Sequence, residues 1–206
     1  MTCIVAIRGA KEIVVGGDSA ESDMWTISCR DDTKFFARGP YIIGFCGSIR
    51  IGQIVRFKMK LPKPRAEDLQ SKDKMLKFMC SKFIDDLAVA LSQNGALVSD
   101  DDDGSSMASS SGLIVCVGGY LFCVYPDLAV STTTKNYIAM GSGESFALGS
   151  LYTTENTKQS CTRRVLKALN AASEFSTTVA GPYHLFRSKI TSYDLENVSI
   201  KRIQTT

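Results

Sequence analysis

Two nearly continuous apolar stretches constrain this chain most: YIIGFCG at 41–47 and GLIVCVG at 112–118. Both are rich in β-branched and aromatic residues, and both end in glycine. Strands of this kind are buried on both faces, so each needs a covering layer above and below. The rest of the sequence supplies those layers. CIVAIRG and EIVVGG are short β-branched runs around Ala10-Lys11 and read as a hairpin. MWTISC reads as a third strand, and TKFFAR pairs with 41–47 through Gly39-Pro40.

The pattern changes at Ser48. Ile51, Ile54, Val55 and Met59 recur at helical spacing before Pro62 and Pro64 end the segment. Lys72 to Gln93 predicts a longer helix, with Met75, Leu76, Met79, Phe83, Leu87 and Leu91 on one stripe and Asn94-Gly95 as its stop. The polar, acidic stretch SDDDDGSSMASSSG makes 96–111 a mobile loop by composition. Its adjacent aspartates lack the alternation and distal Glu of a calcium-binding helix-loop-helix. GLIVCVGG and YLFCVYPD form a hairpin turned at Gly118-Gly119, and NYIAMGSG is a strand ending in glycines. ESFALGSLYTT and CTRRVLKALNAASEF are two further helices, and GPYHLFRSK and SIKRIQ are closing strands. Strands, two helices, strands, two helices, strands: this order predicts an α+β fold. Its economical form is a four-layer αββα sandwich of two antiparallel sheets flanked by helix pairs, spanning 1–206 as one domain.

Composition excludes several functions. The net charge of +3 on 206 residues is too small and too evenly spread for a nucleic-acid binder. No apolar run reaches the roughly 18 residues a membrane span needs. Arg8, Lys11 and Glu12 interrupt the N-terminal run, so it does not read as a signal peptide. Seven cysteines, none in a CxxC pair and several inside apolar runs, read as free buried thiols of a reducing compartment, the cytoplasm. The lone histidine, His184, excludes a multi-histidine metal site and reads as structural.

The chemistry-bearing residues lie near the N-terminus. Thr2, Asp18 and Lys34 are individually commonplace: a small residue after Met1, a turn after a strand, and a lysine before one. As a set they make a nucleophile system. A hydroxyl needs an adjacent base. An N-terminal threonine carries its own, an α-amine of pKa about 7.7–8.0. A lysine ammonium nearby keeps that amine unprotonated and stabilises a developing alkoxide, and a carboxylate orients the lysine. The scheme requires loss of Met1.

TCIVAIR, VVGGD ending at Asp18, DDTKFF presenting Lys34, IIGFCG ending at Gly47 and AMGSG with Ser142 together resemble the proteasome β-type subunits, and within them the bacterial HslV peptidase. The offsets from Thr2 to Asp18 and Lys34 match that family without a gap. The resemblance implies an N-terminal nucleophile (Ntn) hydrolase that degrades unfolded polypeptides. Thr2 is then the nucleophile, its amine the proton shuttle, Lys34 the tuning residue, Asp18 its orienter, Gly47 N–H an oxyanion donor, and Ser142 a hydrogen-bond partner of the amine. Family position also implies a specificity pocket at Glu21, Asp32, Cys46 and Ile49. It further implies weak binding of a monovalent cation such as Na+ by the carbonyls of Ser173, Ser176 and Val179; no cofactor is required.

The family builds stacked homo-oligomeric rings, hexameric or heptameric, fed by an AAA+ unfoldase ATPase, and this chain carries no GxxxxGK[ST] loop of its own. The proteasomal Asp and Ser, three apart after the last long helix, are replaced by SEFS, with Ser173 and Ser176. Two alternatives stand beside this reading. One is a catalytically inactive proteasome-like ring or scaffold, which retention of Met1 would signal. The other is a small-molecule amidohydrolase, for which loss of two residues would expose the Cys3 thiol.

Overall fold

In the computed structural model, residues 2–22, 25–100, 104–108, 110–190 and 199–203 are described. The strands are β1 (Ile4–Arg8), β2 (Glu12–Gly17), β3 (Ala20–Ser22), β4 (Ile27–Cys29), β5 (Phe35–Arg38), β6 (Tyr41–Cys46), β7 (Leu97–Asp100), β8 (Gly104–Met107), β9 (Gly112–Val117), β10 (Tyr120–Val124), β11 (Val130–Thr132), β12 (Tyr137–Met140), β13 (Tyr183–Lys189) and β14 (Ser199–Ile203). The helices are α1 (Ile49–Phe57), α2 (Lys72–Phe78), α3 (Ile84–Ser92), α4 (Glu144–Thr153) and α5 (Cys161–Phe175).

Two five-stranded antiparallel sheets carry the fold, in orders β12-β1-β2-β13-β14 and β11-β10-β9-β6-β5. Strand alternation sorts the apolar residues into three layers of core. Ile4, Ala6, Ile13, Val15, Ile42, Cys46, Ile114 and Cys116 meet between the sheets. Val5, Ile7 and Val14 face the other way, onto Ala147, Leu151, Val165 and Leu169 of α4 and α5. Tyr41, Ile43, Phe45, Leu113, Val115 and Val117 likewise face Ile51, Ile54, Met75, Phe83 and Leu87 of α1 to α3. β6 and β9 therefore bury every residue, as their unbroken apolar runs require. The four-layer sandwich is present.

Local signals set the helix ends. Ser71 Oγ accepts from Lys74 N–H at 3.2 Å and Ser160 Oγ from Arg163 N–H at 3.3 Å, each satisfying an orphan donor of a first turn. Gly95 takes the left-handed conformation (φ +63°) just past α3. Tyr41 Oη donates to Pro62 O at 2.7 Å and holds the proline-rich connection against the sheet.

Three expectations change. The helix over 72–93 is interrupted by a π-turn, Met79–Phe83, between α2 and α3. The widened turn keeps Met79 and Phe83 in the outer core of the second sheet. The stretch 96–111 is not wholly loop: β7 and β8 pair in register, Leu97 opposite Met107. Met107 is buried in the outer core and its N–H donates to Pro126 O at 2.8 Å, so apolar burial and a backbone bond outweigh the polar composition. Asp101 to Asp103 lie outside the described residues. β3 and β11 are short, polar strands with no periodicity to announce them. Among the described residues, no helix is long and apolar enough to cross a membrane.

Candidate active site

The site forms where β1 begins, at the open end of the inter-sheet core. Thr2 precedes β1 and is 4% exposed. Its backbone is held on both sides. The Thr2 nitrogen donates to Ser142 Oγ at 3.2 Å, and Thr2 O accepts from Ser142 Oγ at 3.3 Å and from Gly143 N–H at 3.3 Å. Gly141 passes so close, at φ +105°, that a Cβ there would stand 2.3 Å from Thr2 O. This is why AMGSG needs its first glycine: only a residue without a side chain admits the Thr2 backbone.

Asp18 follows β2 and is 1% exposed; Lys34 precedes β5 and is 3% exposed. Lys34 Nζ donates to Asp18 Oδ1 at 2.9 Å, to Asp18 Oδ2 at 3.0 Å and to Ala20 O at 2.5 Å. The carboxylate also accepts from Cys3 N–H at 2.8 Å and from Ala20 N–H at 3.1 Å. Asp18 thus fastens the lysine to the backbone of the residue after Thr2. Burial pulls the Lys34 pKa below the ordinary lysine value, and the Asp18 carboxylate opposes that pull.

Two clefts meet at Thr2. The first, about 190 Å³, is lined by Thr2, Lys34, Glu21, Ser22, Arg30 and Ile49, with Gly47 at its rim. The second, about 400 Å³, lies on the other side, lined by Thr2, Cys46, Cys123, Tyr125, Ser142 and Glu144 among others, and it also reaches Gly47. Gly47 adopts φ +75°, and a Cβ would lie 2.6 Å from both Ser110 O and Ser111 Cα. Its N–H has no hydrogen-bond partner among the described residues. An unpartnered N–H at the junction of two clefts is a donor chemically able to receive a developing oxyanion.

Thr2, Asp18, Lys34, Gly47 and Ser142 are therefore brought together, and the pocket residues divide. Glu21 and Ile49 line the Lys34-side cleft. Cys46 lines the opposite cleft, because its β6 register points it into the inter-sheet core. Asp32 lines neither; it pairs with Arg30 through bonds of 2.9 Å to Nε and 2.5 Å to Nη2, and Arg30 is the residue facing the cleft. Ser173 lies within α5. Ser176 Oγ is 2.9 Å from Thr178 Oγ1, which is 2.8 Å from Ser142 Oγ, so a hydroxyl chain runs from α5's end to the Thr2 nitrogen. Thr178 and Glu144 are the residues the sequence alone does not single out.

Other candidates separate from the site. Cys3 is fully buried, and burial with the nearby Asp18 charge pushes its thiol up to about 12, opposing a thiol nucleophile. His184 is buried on β13 with Nδ1 3.1 Å from Ser19 Oγ, a structural contact. Among the described residues, no cluster of three His, Cys, Asp or Glu side chains could hold a metal.

No protein-family model matches the chain, and no curated protein matches its sequence. Solved structures do match. The Thiobacillus denitrificans protein BPH superposes with a TM-score of 0.72 at 20% identity, over 92% of this chain and 98% of that one. Its complex with epoxomicin gives 0.73 at 17%, over 92% and 99%. HslV from Trypanosoma brucei gives 0.60 at 18%, over 90% and 98%, and the helical Anbu complex of Pseudomonas aeruginosa 0.66 at 14%, over 98% and 86%. At such identities the likeness is one of fold, and the fold of this chain is the proteasome-like Ntn-hydrolase fold.

Proposed function

We propose that this chain is an N-terminal threonine peptidase subunit acting on unfolded polypeptides. The reading rests on one convergence: the buried Lys34–Asp18 pair, the Ser142 hydroxyl and the unpartnered Gly47 N–H all surround Thr2, at the junction of two clefts.

Removal of Met1 turns the Thr2 nitrogen into a free amine, still bonded to Ser142 Oγ. The amine takes the Thr2 Oγ1 proton as the oxygen attacks the substrate carbonyl carbon. The carbonyl electron pair moves onto oxygen, and the oxyanion is held by the Gly47 N–H. Collapse breaks the C–N bond, and the amine, now ammonium, gives its proton to the leaving nitrogen. The resulting ester on Thr2 is cleaved by water in the reverse sense, with the same amine as base. Lys34 supplies a fixed positive charge that lowers the amine's proton affinity, and Asp18 holds that charge in place. Ser142, backed by Thr178 and Ser176, orients the amine.

The outer edge of β3, where Ala20 bonds Asp18 and Lys34 and no third strand pairs among the described residues, lies along the Lys34-side cleft and suits an extended substrate added beyond Ala20. That cleft therefore takes the acyl side of the scissile bond, with Glu21, Ile49 and Arg30 in its wall, and the opposite cleft takes the leaving side. The proposed cation carbonyls have suitable chemistry. Ser173 O belongs to the last turn of α5, where unpaired carbonyls favour positive charge, and Ser176 O accepts one bond, from Val179 N–H at 3.3 Å. A monovalent cation held there with Val179 O would brace the Thr178 loop; no chemical step uses it. Assembly into stacked rings, supply by an AAA+ unfoldase and a cytoplasmic setting follow from the family resemblance.

The test is hydrolysis of fluorogenic peptides by protein whose intact mass shows Met1 lost. Wild-type cleavage with none by Thr2→Ala supports the reading; a Met1-free chain that cleaves nothing overturns it in favour of a ring scaffold.

A further inference from the structure

The leaving-side cleft has one charged side chain in its wall, a carboxylate without an ion-pair partner among the described residues. Glu144 opens α4, immediately after the Gly141-Ser142-Gly143 turn that holds Thr2. Its side chain makes no hydrogen bond and no ion pair among the described residues. It is half-buried, and burial raises its pKa. The other walls are the Cys46 and Cys123 thiols, Met140, Tyr125 and Pro126, with no lysine or arginine among them. Burial chiefly, with the Glu144 charge, raises the Cys46 and Cys123 thiols, and the N-terminal and Lys34 charges oppose this at Cys46.

The contrast with the first cleft is direct. There, Glu21 shares the wall with two cations, Arg30 and Lys34, themselves paired with Asp32 and Asp18. In the second, Glu144 is the one charged side chain among the lining residues, beside apolar, thiol and hydroxyl groups. A half-buried carboxylate without an ion-pair partner attracts an incoming cation, and the α4 N-terminus favours its ionised form.

We propose that Glu144 is a specificity-determining residue that selects a lysine or arginine side chain on the leaving side of the scissile bond. This assignment rests on the peptidase reading for the direction in which substrate crosses Thr2. A peptide whose acyl part lies along β3 leads its next residues past Gly47 into the Glu144 cleft. There a long cationic side chain lays its methylenes along Tyr125, Pro126 and Met140 while its charge meets the carboxylate.

The test uses internally quenched peptides with one acyl sequence and Lys, Arg, Ala or Glu directly after the scissile bond. Wild type should cleave the Lys and Arg peptides with kcat/KM about tenfold above the Glu peptide, the scale of one partly desolvated charge pair. The ratio should collapse toward unity in Glu144→Gln and invert in Glu144→Lys. A second readout needs no turnover: fluorescence anisotropy of labelled Lys and Glu peptides on full-length Thr2→Ala and on Thr2→Ala/Glu144→Gln. A preference for Lys that disappears in the double variant supports the assignment even if no peptide is cleaved, in which case the peptidase reading alone fails. A ratio that Glu144→Gln leaves unchanged in cleavage or in binding overturns it.

Discussion

Lys34 Nζ lies 2.9 Å and 3.0 Å from the two Asp18 carboxylate oxygens, and the side chains are 3% and 0% exposed. A pair this deeply buried is poor value as a stabiliser, because desolvation offsets most of the attraction. Its placement beside Thr2 fits the proposed tuning of the Thr2 amine instead.

Removing one partner should therefore damage both stability and activity, while removing both separates them. Lys34→Met leaves a buried, unpaired carboxylate and should cost about 3–5 kcal/mol in denaturant unfolding. Lys34→Met/Asp18→Asn should recover most of that loss. Peptidase activity should stay down by about 10²-fold or more in both, the scale of a lost electrostatic contact. Recovery of activity in the double variant would remove Lys34 from the mechanism.

The pH profile carries a sign that can be checked. Below the depressed Lys34 pKa the ammonium is present, so activity should fall as pH rises through that value, below the ordinary 10.5. Asp18→Asn removes the influence that raises the Lys34 pKa and should move the alkaline limb lower still. Stability runs the other way. Between the depressed value and 10.5 the unfolded chain binds the extra proton, so this group's contribution to folding grows with pH across that window. Comparing wild type with Lys34→Met by urea unfolding over the same range isolates that contribution.

Gly47→Ala should fail at the oxyanion position. At φ +75° an added Cβ meets backbone atoms at 2.6 Å, so the N–H must move. A kcat about 10²-fold lower with KM little changed is expected, with assembly retained. A KM effect alone would point to substrate binding instead.

The thiols should report the folded site. Cys29 and Cys80 are exposed, whereas Cys3, Cys46, Cys116 and Cys123 are buried. Burial pushes Cys46, in the leaving-side cleft, up to about 11. Iodoacetamide at neutral pH should label Cys29 and Cys80 first and the half-buried Cys161 more slowly, and spare the four buried thiols until denaturant is added, as read by peptide mass mapping.

What was legible in the sequence follows from which interactions are local. The buried strands announced themselves because β6 and β9 are apolar on both faces. The Thr2, Asp18 and Lys34 offsets carried through because all three sit at the ends of strands in the two main sheets. The π-turn at Met79–Phe83 left no trace, since its residues keep the apolar stripe of a regular helix. Thr178 and Glu144 were invisible for a different reason: their importance arises when the turn after β12 and the end of α5, both distant in sequence, close around Thr2. The β7–β8 pairing was obscured by its polar composition, although Leu97 and Met107 supply the apolar contact that anchors it.

The nucleophilic role of Thr2 is tested most directly by a peptide epoxyketone, the reagent class of the epoxomicin bound to the Thiobacillus denitrificans protein. Incubated with Met1-free protein, digested and mapped by tandem mass spectrometry, the adduct should sit on Thr2 and be absent from Thr2→Ala. A Met1-free chain that forms no adduct, or forms it on Cys3 or elsewhere, would contradict the account.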